Sequence, residues 1–198
     1  MDIYKPYPHN PPHWFVSNAI YMVTGSTLYK KPFLDNEEKR ANFLETLFER
    51  TKIWGWVLHA WAVMVNHYHF IAQSPENALS LKMLMQGLHS INAKFVNRMD
   101  GTPGRRIWYN YWDTCLQTET SYYMRMNYVL LNPMKHGLVE NPDDYPFSSY
   151  RYFVENTELE FRTMVLSQPI DDLQIEDEFQ NFLNSPEVEL RDSQQGNL

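Results

Sequence analysis

Apolar and polar residues repeat with two different periods along most of the chain, and these periods predict strands alternating with helices. Residues 20–27 form an apolar segment between a proline-rich lead and the turn at residues 30–32, which predicts a first strand. Residues 36–52 carry apolar side chains at helical spacing, and Asp35 is placed to cap that helix. The chain is therefore predicted to begin with a strand followed by a helix.

The next segments predict a hairpin and a second helix. Residues 54–72 are rich in tryptophan, valine and other strand-forming residues and are interrupted near residues 65–66, which predicts two strands joined by a tight turn. Residues 79–98 carry an apolar stripe at helical spacing. This stripe predicts an amphipathic helix packed against the sheet.

A glycine- and proline-rich turn at residues 100–104 leads into a last predicted strand that ends near Leu116. A hydroxyl side chain at position 120 or 121 can cap a third helix reaching about Asn132, where Pro133 should stop or kink it. The order β-α-β-β-α-β-α predicts the α+β class. We expect a ferredoxin-like antiparallel sheet with the helices packed on one face.

Length and composition restrict the chain to one principal domain without a membrane segment. The chain has 198 residues, of which 43% are apolar, enough for one core. Its single cysteine, Cys115, excludes a disulfide scaffold and any site built from several thiolates. The longest apolar run, residues 53–65, is too short to span a bilayer, and the first residues lack the apolar stretch of a signal peptide. We therefore expect a cytoplasmic protein.

The formal charge of −7 is concentrated near the C-terminus. Residues 1–155 carry 15 Lys and Arg against 14 Asp and Glu, whereas residues 156–198 carry 2 against 10. This difference predicts a nearly neutral domain over 1–155 and an acidic tail over 156–198 that is partly helical or disordered. Within the tail we expect a helical piece over residues 176–183 and disorder from Ser185. Because the domain itself is neutral, the acidic total does not exclude a nucleic-acid partner.

Two histidines one residue apart form the first candidate site. His67 and His69 lie in the apolar stretch of residues 62–71, which is predicted to be a strand. Alternate side chains of a strand share one face, so both imidazoles can reach one metal ion while Tyr68 points away. Such a pair can also be purely structural. Two polar rings on a hydrophobic hairpin nevertheless need partners or a ligand.

The third predicted helix carries the second candidate site. Tyr128 and Asn132 lie four residues apart and therefore on one side of that helix. An asparagine oxygen suits Mg²⁺ or Mn²⁺, and a ligand set of two imidazoles and one amide would leave coordination positions for substrate oxygens. A tyrosine becomes a nucleophile only where its anion is stabilised. The alternative is that Tyr128 only packs the helix and Asn132 only caps it before Pro133.

Three segments of the sequence together resemble a known family. They are residues 64–69 (MVNHYH), residues 128–139 (YVLLNPMKHGLV) and residues 144–150 (DYPFSSY). In this order and spacing they resemble the single-tyrosine HUH transposases, and among those the REP-associated tyrosine transposases. The resemblance extends from about Tyr21 to Phe153. Val65 stands where the family commonly has proline, and His136 stands where a small residue is usual.

The resemblance implies a metal-dependent enzyme acting on single-stranded or hairpin DNA, such as REP-type repeats. It implies that His67, His69 and Asn132 hold Mg²⁺ or Mn²⁺. It also implies that Tyr128 cleaves and rejoins DNA through a 5′-phosphotyrosine intermediate. The alternative function is a catalytically inactive DNA-binding module or regulator on the same fold. A metal hydrolase of small molecules is less attractive, because barrel folds with such a site need about 250 residues.

Binding of single-stranded DNA also requires a positive surface and stacking aromatics. Lys94 and Arg98 lie four residues apart near the end of the second predicted helix, and Arg105 and Arg106 follow across the turn. We predict that these four residues contact DNA. Aromatic residues follow at positions 108–112, although aromatics on a strand more often belong to the core.

The remaining predictions concern two other histidines and the assembly. His59 and His89 are interpreted as structural, because neither lies in a motif. We expect a monomer located in the cytoplasm at the bacterial nucleoid, and leave a dimer open.

Overall fold

Four strands form one antiparallel sheet. The computed structural model describes residues 16–170, so the helical piece expected over residues 176–183 and the disorder expected from Ser185 lie outside the described residues. The strands are β1 (Ile20–Thr27), β2 (Val57–Val63), β3 (His67–Gln73) and β4 (Trp108–Leu116). They pair in the order β2-β3-β1-β4, which confirms the antiparallel sheet.

Within residues 16–170, five α-helices connect and cover the strands. They are α1 (Glu37–Trp54), α2 (Ser80–Met99), α3 (Glu119–Lys135), α4 (Tyr150–Asn156) and α5 (Leu159–Leu166). The α+β class is therefore confirmed. None of the helices described between residues 16 and 170 combines the length and the apolar character needed to cross a membrane.

The N-terminal caps of α1 and α3 differ from the expected ones. Asn36, not Asp35, caps α1 by accepting a hydrogen bond from the Lys39 backbone N–H at 2.9 Å. Asp35 instead accepts one from the Lys39 ammonium at 2.8 Å. Thr118 caps α3 by accepting a hydrogen bond from the Ser121 N–H at 3.1 Å. In both helices, the capping side chain belongs to the extended residue just before the first helical one, as cap geometry requires.

Pro133 lies inside α3, so of the two outcomes expected at this proline, a stop or a kink, the stop is wrong. The helix continues to Lys135, and its end is closed by hydrogen bonds from His136 N–H to the Asn132 carbonyl and from Leu138 N–H to the Pro133 carbonyl, both 3.0 Å long. A proline so near the C-terminus removes only one backbone donor from the ladder, which the helix tolerates. Asn132 is therefore fully helical.

Helices cover both faces of the sheet, so the expected one-face arrangement holds only for α1 and α2. The first core lies between these helices and strand residues that include Val23 and Phe70. A second core lies on the opposite face, between α3, α4, α5 and strand residues that include Met22 and Ile71. The interior positions of β3 are buried on both faces. A strand that is apolar on both faces must be covered twice.

The packed region continues beyond the expected domain boundary at residue 155. Val165 of α5 is fully buried in the second core. The Asn127 side chain of α3 donates a hydrogen bond to the Gln168 carbonyl at 2.7 Å. These contacts join the beginning of the acidic segment to α3.

Candidate active site

The two histidines of β3 share the sheet face that α3 covers. Their ring centroids are 5.2 Å apart, with the ring planes at 77°. Tyr68 projects to the opposite face, where it belongs to the first core. In the pairing of β1 with β3, Thr24 lies directly opposite His69, so its side chain shares that face.

Each histidine ring has its Nδ1 atom next to a side-chain oxygen. Thr24 Oγ1 lies 2.8 Å from His69 Nδ1, and Asn66 Oδ1 lies 2.7 Å from His67 Nδ1. When Nδ1–H donates to these oxygens, Nε2 carries the free lone pair of each ring. His69 Nε2 is buried and has no hydrogen-bond partner in the described part of the chain.

Tyr128 and Asn132 approach the histidines from α3. The Tyr128 ring meets the His69 ring edge-on, with 5.3 Å between centroids and 78° between planes. Asn132 is fully buried. Neither its Oδ1 nor its Nδ2 atom has a hydrogen-bond partner among residues 16–170. The four residues proposed from the motifs thus meet within one chain.

Burial keeps both imidazoles neutral. Burial, assisted by the nearby His136 ring and partly offset by the adjacent Asn132 side chain, lowers the pKa of His67 to about 3. The pKa of His69 is held well below its usual value, first by burial and then by the positive potential of His67, His136 and Lys135. A neutral imidazole is the form that binds metal.

The buried polar atoms of this site fit a divalent cation. A buried polar atom without a hydrogen bond costs about 1–3 kcal/mol, and a cation bound here would compensate the Asn132 amide oxygen and His69 Nε2. Between residues 16 and 170, no group of three or more His, Cys, Asp or Glu side chains is placed to hold a metal ion. A cation held here would therefore need the Asn132 amide oxygen beside the two imidazoles. That neutral set suits Mg²⁺ or Mn²⁺ and leaves coordination positions open.

Two residues at the end of α3 enter the site although the sequence assigned them no role. The Lys135 Nζ atom lies 4.8 Å from the centroid of the Tyr128 ring. The His136 ring centroid lies 4.7 Å from that of His67. Lys135 follows Tyr128 by seven residues, which is two helical turns, so its spacing could have identified it. The position of His136 depends on how α3 ends and could not have been anticipated.

The four predicted DNA-contact residues lie along one edge of the molecule. Lys94, Arg98 and Arg105 line a cavity of about 670 Å³ at the end of α2. Arg106 is exposed, and its Nε donates a hydrogen bond to the Trp108 carbonyl at 3.0 Å. Arg106 directly follows Arg105, so the four cations are grouped between the end of α2 and the start of β4, and this group is called the positive edge below.

The aromatic residues of β4 divide between the core and the surface. Trp108 is buried in the first core, and Tyr111 packs against that core. Tyr109 and Trp112 are only partly buried and stack on each other with 6.1 Å between centroids. Trp112 lies opposite Thr24, the partner of His69, so its side chain shares the sheet face of the candidate site.

His59 and His89 have protein partners outside the candidate site. His59 Nδ1 lies 2.9 Å from the Tyr122 hydroxyl. His89 Nε2 lies 2.7 Å from the Tyr68 hydroxyl, and its ring stacks on Trp108 with 4.7 Å between centroids. These contacts agree with a structural role for both histidines.

Comparisons with known proteins identify a relative in sequence and a solved structure of similar fold. No known family profile matches the sequence. The REP-associated tyrosine transposase of Escherichia coli K12 is 26% identical over an alignment of 99 residues that covers 47% of this chain and 53% of that relative. The match thus spans about half the length of the relative.

A solved structure described as the REP-associated tyrosine transposase bound to a REP hairpin has the same fold. It superimposes with a TM-score of 0.63 over 87% of this chain and 94% of the other, at 18% sequence identity. Taken with the relative from Escherichia coli, this match agrees with the three sequence motifs. The chain is thus similar in sequence, over about half its length, to one REP-associated tyrosine transposase, and similar in fold, over most of its length, to a solved structure described by the same name.

Proposed function

We propose that this chain is a metal-dependent transposase that cleaves and rejoins single-stranded DNA through a covalent bond between Tyr128 and a 5′ phosphate. The observation that carries the proposal is the meeting of the β3 histidines with Tyr128 and Asn132 in one chain. The buried His69 Nε2 and Asn132 amide strengthen it, because a bound cation would satisfy the polar atoms that lack a partner among residues 16–170.

The residues that would hold the cation are His67, His69 and Asn132. The Nε2 atoms of the two imidazoles and the Asn132 Oδ1 atom would donate the protein lone pairs. Thr24 and Asn66 hold the rings in the required orientation through their Nδ1 atoms. A bound Mg²⁺ or Mn²⁺ ion supplies charge neutralisation at the nonbridging oxygens of the scissile phosphate.

Tyr128 is the proposed nucleophile. Its ring is buried against His69, which restricts the side chain and holds the hydroxyl in one position. The positive charge of Lys135 beside the ring favours the phenolate. The Tyr128 hydroxyl gives up its proton to solvent as its oxygen forms a bond to phosphorus, the bond from phosphorus to the 3′ oxygen breaks, and that oxygen takes up a proton from solvent and departs as a hydroxyl.

The reaction needs no nucleotide triphosphate. It exchanges one phosphodiester for another of similar free energy, so a different 3′ hydroxyl can attack the phosphotyrosine and release Tyr128. The sequence also lacks the glycine-rich phosphate loop of nucleotide hydrolases. Cleavage and rejoining are therefore the two directions of one step.

Hairpin DNA is the proposed substrate. The positive edge formed by Lys94, Arg98, Arg105 and Arg106 suits a polyanion. The structure of similar fold was solved with a REP hairpin bound. Because one chain supplies all four residues of the site, a monomer is sufficient for the chemistry. An enzyme of this kind would act on chromosomal repeats at the nucleoid, in the cytoplasm.

Covalent trapping tests the proposed reaction. The protein is incubated with end-labelled hairpin DNA carrying single-stranded flanks and Mn²⁺, then run on a denaturing gel. We expect an adduct that survives denaturation and is absent from Tyr128→Phe. Tyr122→Phe is the matched control, because it removes a hydroxyl from the same helix and should keep the adduct. Tight binding without any adduct would instead support the inactive DNA-binding module.

A further inference from the structure

A cavity of about 670 Å³ lies at the end of α2, on the side of the sheet opposite α3. The helix forms one wall and the turn before β4 forms the other. Its lining includes Ala93, Pro103 and two glycines, with three cationic residues among them: Lys94, Arg98 and Arg105. A volume of this size is typical of pockets that bind small organic ligands.

The two glycines keep one wall of the cavity without side chains. Gly101 has a φ of 64° and Gly104 a φ of 84°, a left-handed conformation that favours glycine. A Cβ atom at either position would meet no other atom within 4 Å. Backbone conformation, not packing, therefore requires these glycines, and the space beside them stays open.

Among residues 16–170, Arg105 is the only one of the three cavity cations in an ion pair, so the cavity keeps a positive charge. Asp100 accepts a hydrogen bond from Arg105 at 2.5 Å and also pairs with the buried Lys39 at 2.6 Å, so one carboxylate faces two cations. Arg105 is held further by Asn97 at 3.2 Å and lies over the Phe33 ring at 4.4 Å. This cation is ordered in advance, which lowers the entropic cost of binding an anion.

We propose that this cavity binds one unpaired nucleotide of the DNA substrate, separate from the nucleotide that is cleaved. Its base would lie against Ala93 and Pro103, and its flanking phosphates would contact Lys94 and Arg98. A positive but flat surface is enough for a phosphate backbone, whereas an unpaired base needs a concave apolar wall. The cavity combines positive charge with a concave wall that includes apolar side chains. This inference rests on the proposed function and adds a second recognition point to it.

The positive edge connects the cavity to the candidate active site. Arg106 follows Arg105, and its guanidinium lies 5.8 Å from the Tyr109 ring centroid. Tyr109 stacks on Trp112, which lies opposite the His69 partner Thr24. Residues 106–112 span about 20 Å of extended chain. At about 3.4 Å per stacked nucleotide, the bound base would lie about six nucleotides from the scissile phosphate.

Abasic substitution in the DNA tests the proposal. Hairpin DNA with single-stranded flanks is prepared with one flanking base at a time replaced by an abasic residue, and its affinity for the full chain is measured by fluorescence anisotropy. One position, several nucleotides from the cleavage site, should lose about tenfold in affinity, the amount expected for one buried base. Affinity that is unchanged by every single substitution would overturn the proposal.

Filling the cavity with a larger side chain should make DNA binding insensitive to the abasic substitution. Ala93→Leu should bind intact DNA about tenfold more weakly than the unsubstituted protein does. The two proteins should bind the abasic DNA with equal affinity. Gln86→Leu is the matched control, because Gln86 is exposed on α2 outside the cavity lining and should change neither affinity. An equal loss for intact and abasic DNA would overturn the proposal. If Ala93→Leu melts early by circular dichroism, Ser90→Trp fills the cavity from an exposed position.

Charge removal separates the phosphate contacts from the base contact. Lys94→Gln and Arg98→Gln should weaken binding of intact and abasic DNA alike and reduce the salt dependence of binding. Lys82→Gln, at an exposed position outside the cavity, should leave both unchanged. If the covalent adduct forms but no flanking position matters, the cavity proposal fails and the proposed function stands. If no hairpin DNA binds at all, both fail.

Discussion

The Tyr128 ring lies edge-on to the His69 ring, with 5.3 Å between centroids, although the two residues belong to different elements. His69 is in β3 and Tyr128 is in α3, which packs across the same face of the sheet. The contact places a phenol beside a neutral imidazole whose Nε2 atom has no partner in the described residues. The proposed nucleophile and the proposed metal site are thereby held in one geometry.

Removal of a proposed ligand should abolish metal binding without unfolding the protein. His67→Ala should lose measurable Mn²⁺ affinity in isothermal titration calorimetry, because it removes one of three protein donors, and DNA cleavage should disappear with it. His67 is only partly buried, so thermal unfolding should change little. His59→Ala is the matched control, since that ring contacts Tyr122 instead. Equal Mn²⁺ affinity in the two variants would contradict the ligand assignment.

Thr24 should affect metal binding through His69. Thr24→Val keeps the shape of the side chain but removes the oxygen that lies 2.8 Å from His69 Nδ1. Loss of such an orienting partner typically lowers metal affinity 10- to 100-fold. We expect a loss in that range by Mn²⁺ titration, with Thr24→Ser restoring most of the affinity. An unchanged Mn²⁺ affinity in Thr24→Val would show that the Thr24 hydroxyl does not orient the His69 ring for metal binding.

Local periodicity was sufficient to predict much of the site. His67 and His69 share a face because strands have a period of two, and Tyr128 and Asn132 share a side because helices repeat near four. The choice of face for α3 could not be predicted, since it depends on contacts between distant segments. The end of α3 was placed too early for a similar reason: a proline signals that a helix end is near without showing at which residue the helix ends. The cavity lined by Lys94 and Arg98 could not be predicted either, because the turn before β4 forms one of its walls only in the folded protein.

Lys135 should accelerate formation of the covalent adduct. Its ammonium lies 4.8 Å from the Tyr128 ring centroid and favours the anionic phenol. Lys135→Met should slow adduct formation about tenfold at neutral pH, and Lys135→Arg should keep most of the rate. Lys52→Met, which removes an exposed cation at the end of α1, is the matched control. The rate would be measured by single-turnover trapping on denaturing gels, and Mn²⁺ affinity should stay unchanged.

His89 should make the fold sensitive to mild acid. Burial lowers its pKa from 6.5 to about 3 in the folded protein, whereas the unfolded chain takes up a proton below about pH 6.5. The unfolded state therefore binds more protons between these values, and stability must fall as pH decreases through that window. His89→Gln can keep a hydrogen bond to Tyr68 while removing the titration. Urea unfolding should show a smaller loss of stability from pH 7 to pH 4.5 in this variant, by about 2 kcal/mol.

His59→Gln provides the comparison for that pH series. Burial also lowers the pKa of His59, which lies on the other face of the sheet beside Tyr122, but by less than it lowers the pKa of His89. Its substitution should flatten the pH dependence less than His89→Gln does. An identical pH dependence in His89→Gln and the unsubstituted protein would show that the His89 ring is protonated in the folded state.

Asp100 should stabilise the end of α2 in a way that acid removes. Its carboxylate pairs with Lys39 at 2.6 Å and Arg105 at 2.5 Å, and the Lys39 side chain is only 3% exposed. Hydrogen bonds from these two cations hold the pKa of Asp100 below 3.8. Because the pKa is lower in the folded state, the stabilisation is complete above about pH 4 and disappears as pH falls through the folded pKa.

Asp100→Asn should therefore lower the free energy of unfolding at pH 7 by about 2 kcal/mol, since it leaves the buried Lys39 ammonium with Asp35 alone. The difference from the unsubstituted protein should shrink below pH 4, because protonated Asp100 is also uncharged. Asp143→Asn is the control, since its pair with Arg151 is exposed and should contribute less than about 1 kcal/mol. A constant difference from pH 7 to pH 3 in urea unfolding would show that Asp100 acts through packing and not through its charge.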